Sequence, residues 1–357
     1  MKVKEKQREY YLDLLRIAAI MAVIAIHTEL GELYMQMPVG SVSYYICMFF
    51  SMLISFSPPV FFMISGALLM EKEESIVTIW KKRISRIFLD LLIVSFLYFL
   101  LDIKTGRCEA DPLAFITNLF SKPCITPFWY LYAYLSFLIC LPFLRGMAKA
   151  MNETTGKYLF VLGIILLSIL PELQRTLLKD FDLQADLRWD WLLSNVVLFP
   201  MLGYVLHKKI PAAKLKIYLP LLGIADIVWL SYQTYVAVAV SMAAGQSLIS
   251  DGYRGRCAML NAVTVFILFK FIQEKGILKK AAVVFSEIGG CVFGIYLFHG
   301  FFLDRIRLVG KFREILFMYF DGLAMLIPAF LWILIVFTAV GLGVWILRKI
   351  PIIRKFL

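Results

Sequence analysis

Residues 11–27 read Tyr11-Leu-Asp13-Leu-Leu-Arg16-Ile-Ala-Ala-Ile-Met-Ala-Val-Ile-Ala-Ile-His27. Ten uncharged, apolar residues separate Arg16 from His27. At 100° per residue the step from one to the other closes three helical turns, so both side chains lie on one face. Asp13 falls near that face as well. The run is apolar enough for a membrane helix, and ionisable groups inside such a helix are costly enough to point to function. On spacing alone, two readings of His27 stand side by side: a general base, since imidazole titrates near neutrality, or a buried ring satisfied by a neighbouring hydroxyl.

Working outward, similar runs recur to the C-terminus. The chain is 61% hydrophobic and only 17% charged over 357 residues, which excludes an ordinary soluble domain. The β-barrel pattern of alternating polar and apolar residues is absent. The sequence therefore predicts an all-α, polytopic membrane helical bundle forming one domain over 1–357. Ten spans are expected, at 11–30, 43–70, 84–101, 128–145, 158–173, 191–206, 217–240, 256–273, 286–304 and 322–347. Ser57-Pro58-Pro59 is expected to break the second and free carbonyls that line a cavity. The fifth and sixth are the shortest.

The net charge of +12 reads as topology rather than nucleic-acid binding. Basic clusters such as Lys81-Lys82-Arg83, Lys208-Lys209 and Lys279-Lys280 fall on connections of one side; Asp180, Asp182, Asp186 and Asp190 fall on the other. Both termini are thus expected in the cytoplasm, and the protein in the plasma membrane as a multi-pass protein. Asp13 and Arg16 inside the first apolar run argue against a cleaved signal peptide. The six cysteines lack the spacing of a metal or redox site, and no metal is expected. Cys47, Cys140 and Cys291 read as packing. Cys108 and Cys124 share one outer loop, where a disulfide is an open alternative.

Four further stretches carry candidate chemistry. In Lys81-Lys-Arg83-Ile-Ser-Arg86 the two arginines share a face at the inner boundary, either as topology anchors or as a phosphate-binding fork. Gly294-Ile-Tyr296-Leu-Phe-His299 brings a second imidazole to about the depth of His27, with an interfacial anchor as the alternative. Phe61-Phe-Met-Ile-Ser65-Gly66 has the small residues of a close helix contact. In Phe128-Trp129-Tyr130-Leu-Tyr132, Tyr130 reads as an interfacial residue. Glu29 lies about 200° from His27 and cannot orient it in a straight helix. Asp226 is a lone intramembrane acid without a named partner, and His207 reads as a solvated loop residue.

Together these stretches resemble the acyltransferase-3 family of integral-membrane O-acyltransferases. The resemblance runs from Arg16 to His299. It rests on the basic residue, ten residues and His of the first helix, on Arg83-x-x-Arg86, and on the ninth-helix text. It implies transfer of an acetyl group from acetyl-CoA to a hydroxyl of a sugar, cell-envelope polymer or small molecule. It further implies His27 and Arg16 as catalytic, Arg83 and Arg86 at the acyl donor, and Asp13, His299, Tyr296, Ser65 and Trp129 about the substrate. Two departures stand out. Phe88, Leu89 and Asp90 occupy places where relatives often carry proline, and Pro127-Phe128 stands where a histidine is common. Some relatives add a hydrolase-like or racemase domain, and none is expected here. The partners implied are acetyl-CoA, a hydroxyl-bearing acceptor and the lipid bilayer, with oligomeric state open. The alternative class is a carrier exporting a surface polysaccharide or taking up a small solute, which a broken helix with buried charges also suits. A carrier needs no CoA site.

Overall fold

A computed structural model describes residues 9–356 except 179, 180, 182, 185, 186, 188, 189 and 249; Asp180, Asp182 and Asp186 lie outside the described residues. Ten segments build the bundle. They are α1 (Tyr10–Ile26), α2 (Val42–Leu69), α3 (Ile76–Lys104), α4 (Thr126–Ala150), α5 (Glu153–Thr176), α6 (Leu198–Lys208), α7 (Ala212–Ala244), α8 (Asp251–Glu274), α9 (Lys279–Arg305) and α10 (Gly322–Leu347). Among the described residues, eight are long and apolar enough to cross a bilayer. A ninth crossing results if α1 and the following Glu29–Gln36, bent by 60°, form one span.

The expected span at 191–206 is therefore corrected. In its place α6 has 11 residues, about 16 Å of helix against a hydrocarbon core of about 30 Å. Every residue from Leu198 to Leu206 is buried. A helix enclosed by protein needs the same apolar residues as one facing lipid, so hydropathy alone gave it a full crossing. α6 and α2 touch backbone to backbone. A Cβ on Gly203 would stand 2.0 Å from the Met63 carbonyl oxygen, and one on Gly66 would stand 1.9 Å from that of Pro200. The C-terminal carbonyls of α6 are closed by Lys270 of α8, whose Nζ donates to Leu206, His207 and Ile210 at 2.7, 3.1 and 2.9 Å. A buried cation at a helix C-terminus satisfies both itself and the helix.

Two other helices depart from regular geometry. In α2 a 3-10 turn at Ile54–Phe56 precedes the prolines, which then open the second half at positions where no N–H is needed. The Leu53 carbonyl freed at this break accepts from Asn261 Nδ2 at 2.7 Å, so it is sealed by α8 rather than lining a cavity. In α3 a π-turn over Trp80–Ile84 carries Lys81, Lys82 and Arg83.

α1 is the central helix, packed against α2, α8, α9 and α10 and contributing to both core clusters. Tyr10 OH donates to the Ile277 carbonyl at 2.8 Å, and Arg86 Nη2 to that of Phe356 at 3.0 Å. The start of α1 and the C-terminal residues thus lie at one end of the bundle, called basal below. His27, Glu29 and the Arg305–Asp102 ion pair (3.1 Å) mark the opposite, apical end.

Candidate active site

The basal site begins with Arg16, whose Nη1 donates to Asp13 Oδ1 at 2.6 Å. Asp13 is 1% exposed and tight against α9; a Cβ on Gly289 would meet its Oδ1 at 2.9 Å. Arg16 faces a cavity of about 470 Å³ between α1, α2, α3, α4 and α9. Ser65, Lys72, Arg83, Arg86 and Tyr296 line the same cavity, with Phe61, Tyr130, Tyr134 and Gly289-Gly290 among its walls. Four basic side chains thus meet around one space, although their sequence positions run from 16 to 86.

The arginines are held rather than free. Arg83 grips Glu74 with Nε and Nη2 at 2.9 and 2.6 Å, and Arg145 Nη2 reaches the same carboxylate at 2.8 Å. The Arg83 hydrogen bonds, helped by those of Arg145, hold the Glu74 carboxyl down at about 2 against the upward pull of burial. Arg86 is more loosely tied, 3.9 Å from Asp90 and bonded to the Phe356 carbonyl. Behind Gly290 lies Arg348: a Cβ on that glycine would stand 2.6 Å from its Nη1. Among the described residues its guanidinium bonds the Cys291 thiol at 3.4 Å, and its Nε is buried without a partner. A guanidinium partnered by a cysteine beside a cation-lined cavity has donors to spare for an anion.

Tyr296 joins this cavity to the histidines. Its ring lies 5.6 Å from Tyr130 and 6.0 Å from His299, and its hydroxyl donates to the Pro127 carbonyl at 2.6 Å. His299 is fully buried and its Nδ1 lies 2.7 Å from the Tyr296 carbonyl oxygen. A carbonyl only accepts, so Nδ1 carries the proton and Nε2 keeps its lone pair. That Nε2 is buried without a hydrogen-bond partner. His27 caps α1 where the chain bends, and its ring stands 5.7 Å from that of His299, tilted by 37°. The two imidazoles expected at one depth are neighbours.

The remaining candidates fall as follows. Arg16 is eleven residues below His27, about 16 Å along the helix, so the two do not touch one reacting atom. Ser65 Oγ donates to the Phe61 carbonyl at 2.9 Å. Asp13 partners Arg16 and lines two neighbouring basal cavities instead of this one. Trp129 is 38% exposed, with its ring 6.3 Å from that of Tyr130, and does not line this cavity. Tyr130, read from the sequence as interfacial, is instead in the cavity wall, packed on Phe62 at 4.8 Å and Tyr134 at 5.8 Å. His207 is corrected too: it is half-buried at the end of α6, its Nδ1 2.5 Å from Tyr11 OH, because Lys270 draws that helix end under α1. Glu29 turns away to Arg313 at 3.0 Å. Asp226 is buried and its Oδ1 takes no hydrogen bond among the described residues. Cys108 and Cys124 are free thiols.

Sequence reasoning missed Lys72, Tyr130, Tyr134, Arg145 and Arg348. Arg348 reads as an ordinary anchor after the last span. The one signal for its place is the Gly289-Gly290 pair, which makes room for it.

A family model described as an acyltransferase domain matches residues 9–348, nearly the whole chain. The chain belongs to the acyltransferase 3 family. It is thus a membrane-bound, helical acyltransferase-family protein, and membership implies an acyl donor and an acceptor. No curated protein and no solved structure matches it. The family match covers both the cation-lined cavity and the histidine pair.

Proposed function

We propose that this acyltransferase takes an acetyl group from cytoplasmic acetyl-CoA and passes it to a hydroxyl of a sugar, cell-envelope polymer or small molecule. The observation that carries the reading is the continuity from a cation-lined basal cavity, through Tyr296, to two adjoining imidazoles. The Lys/Arg asymmetry of the sequence supports a cytoplasmic basal end, where CoA thioesters are found. The donor phosphates meet Arg16, Lys72, Arg83, Arg86 and Arg348 by charge-assisted bonds. The uncharged pantetheine arm lies along Tyr130, Tyr134 and Tyr296, aiming the thioester at the histidines. Arg16 thereby takes a donor-binding part rather than a place at the reacting atoms.

At the apical end His27 is the general base. It removes the acceptor hydroxyl proton as that oxygen bonds to the thioester carbonyl carbon. Collapse of the tetrahedral adduct breaks the C–S bond, and the proton leaves with the CoA thiolate. His299, with its proton fixed on Nδ1, turns a lone pair toward this space. As a neutral ring it offers Nε2 as an acceptor beside His27. A dry site strengthens this help relative to water.

The 60° bend at His27 also suits a carrier, in which a broken helix hinges about a bound solute. Radiolabelled acetyl transfer by purified protein in nanodiscs decides between the two. Label passing to an acceptor supports the enzyme. Tight solute binding without acetyl-CoA binding supports the carrier.

A further inference from the structure

A short helix, Arg307–Phe317, joins α9 to α10 at the apical end. With 11 residues it is too short to cross a bilayer, and none of its residues is fully buried. At about 100° per residue its side chains fall on three sides. Val309, Arg313, Leu316 and Phe317 turn to the protein. The three apolar ones pack against the core to which α1 contributes, and Arg313 Nη1 lies 3.0 Å from Glu29 Oε1. Leu308, Phe312 and Ile315 recur at i, i+4 and i+7, a stripe left 75%, 48% and 56% exposed. Arg307, Lys311 and Glu314 make the third side, which is exposed and charged. A helix between protein and water needs two faces. This one has a third, an apolar stripe that the protein leaves uncovered.

The surroundings identify what covers it. The chain leaves α9 at Arg305 and enters α10 at Gly322, so both ends of the helix are tied to segments that cross the bilayer. Phe312 meets Trp332 of α10, with ring centroids 6.2 Å apart. α10 turns Ile327, Phe330, Leu331 and Leu334 outward, which in a spanning helix is toward lipid. The stripe thus continues the lipid-facing belt of α10. An apolar stripe of Leu, Phe and Ile beside a polar side carrying Lys and Arg is the composition of a helix that lies in the plane of the headgroups.

The protein-facing side reaches the bend at His27. Glu29 stands two residues after His27, on the segment Glu29–Gln36 that leaves α1 at 60°. Its side chain is largely buried, its Oε2 takes no hydrogen bond among the described residues, and Arg313 is its counter-charge. A mostly buried carboxylate is destabilised when its cation moves away. Where the short helix sits therefore decides whether the bent segment keeps its ion pair.

We propose that the helix Arg307–Phe317 rests in the apical surface of the bilayer with Leu308, Phe312 and Ile315 in lipid, and that this seat holds the bend after His27 through Arg313 and Glu29. Neither the seat nor the coupling depends on the reaction carried out at His27.

Spin labels read both, in protein reconstituted at one chain per nanodisc with the accessible Cys108, Cys124 and Cys140 replaced by serine. Labels are placed on Ile315→Cys and, separately, on Glu314→Cys. The label at 315 is expected to relax with oxygen, which concentrates in lipid, and to be shielded from an aqueous nickel chelate; the label at 314 should show the reverse. Equal access of the chelate to both places the stripe in water and overturns the proposal. Shielding at 315 that appears only with two chains per disc makes a second copy the occupant, and overturns it too. A label on the exposed Glu32→Cys reports the mobility of the bent segment. Leu308→Ser with Ile315→Ser, and separately Arg313→Gln, should each raise that mobility severalfold. The three changes together should add little, because they act through one contact. Arg313→Lys, which keeps the charge, should stay near wild type. Unchanged mobility in the serine pair or in Arg313→Gln overturns the coupling.

Discussion

At His299 one hydrogen bond decides what the ring offers. The Tyr296 carbonyl fixes the proton on Nδ1, and Nε2 keeps its lone pair in a ring 5.7 Å from that of His27. If His27 is the base, His27→Gln should lower acetyl transfer by about 10²–10⁴-fold while leaving acetyl-CoA binding intact, because glutamine fills the space but accepts no proton at neutral pH. Near-normal turnover of that variant, measured by label transfer, would remove His27 from the chemistry. A second substitution pair separates Tyr130 from its neighbour. Tyr130→Ala should weaken acetyl-CoA binding, whereas Trp129→Ala, on the exposed side, should leave it within about twofold. The histidines were legible in the sequence because depth along a helix is simple arithmetic. The positions of Tyr130 and Trp129 were not, since adjacent residues point about 100° apart and only packing says which direction is inward.

Among the elements, α6 shows what hydropathy cannot distinguish. Its residues are as apolar as those of a spanning helix, yet it is too short to cross and is enclosed by α2, α5 and α8. Its seat depends on two glycines whose missing side chains let backbones touch. Gly203→Val should therefore be among the most damaging single changes, about 4 kcal/mol or more. The readout is loss of the monodisperse peak and of the thermal transition in detergent; a variant as stable as wild type would contradict the backbone contact. The break of α2 was legible from Pro58-Pro59, but its closure by Asn261 was not, because the partner lies some 200 residues away in the chain. The π-turn of α3 likewise has no local signature. It sits where Arg83 turns to Glu74 while Arg86 reaches the C-terminal residues. Since Arg83 is already neutralised by a carboxylate held near 2, Arg86 and Arg348 are the cations most available to a ligand. Arg86→Gln with Arg348→Gln should lower acetyl-CoA affinity at least about tenfold, with a weaker salt dependence than wild type. Unchanged affinity would make both ordinary anchors.

Over the whole molecule, the two ends differ in character: a cation-lined cavity at the base and the histidine pair at the apex. The class of fold was plain from composition, because a chain this apolar has few other solutions. The site was legible as a set of residues and not as a place: the sequence named Arg16, Ser65, Arg83, Arg86 and Tyr296 without showing that they share a cavity. Orientation is tested by cysteine scanning. A thiol at Asp111 should be labelled from outside the cell and one at Lys214 only after permeabilisation; labelling of both from one side would contradict the arrangement. The central claim is that the basal cavity is a CoA thioester site. Calorimetric titration of acetyl-CoA into the purified wild-type protein should give saturable binding at one site per chain, weakening as salt is raised. Absence of saturable binding at low salt would contradict the account.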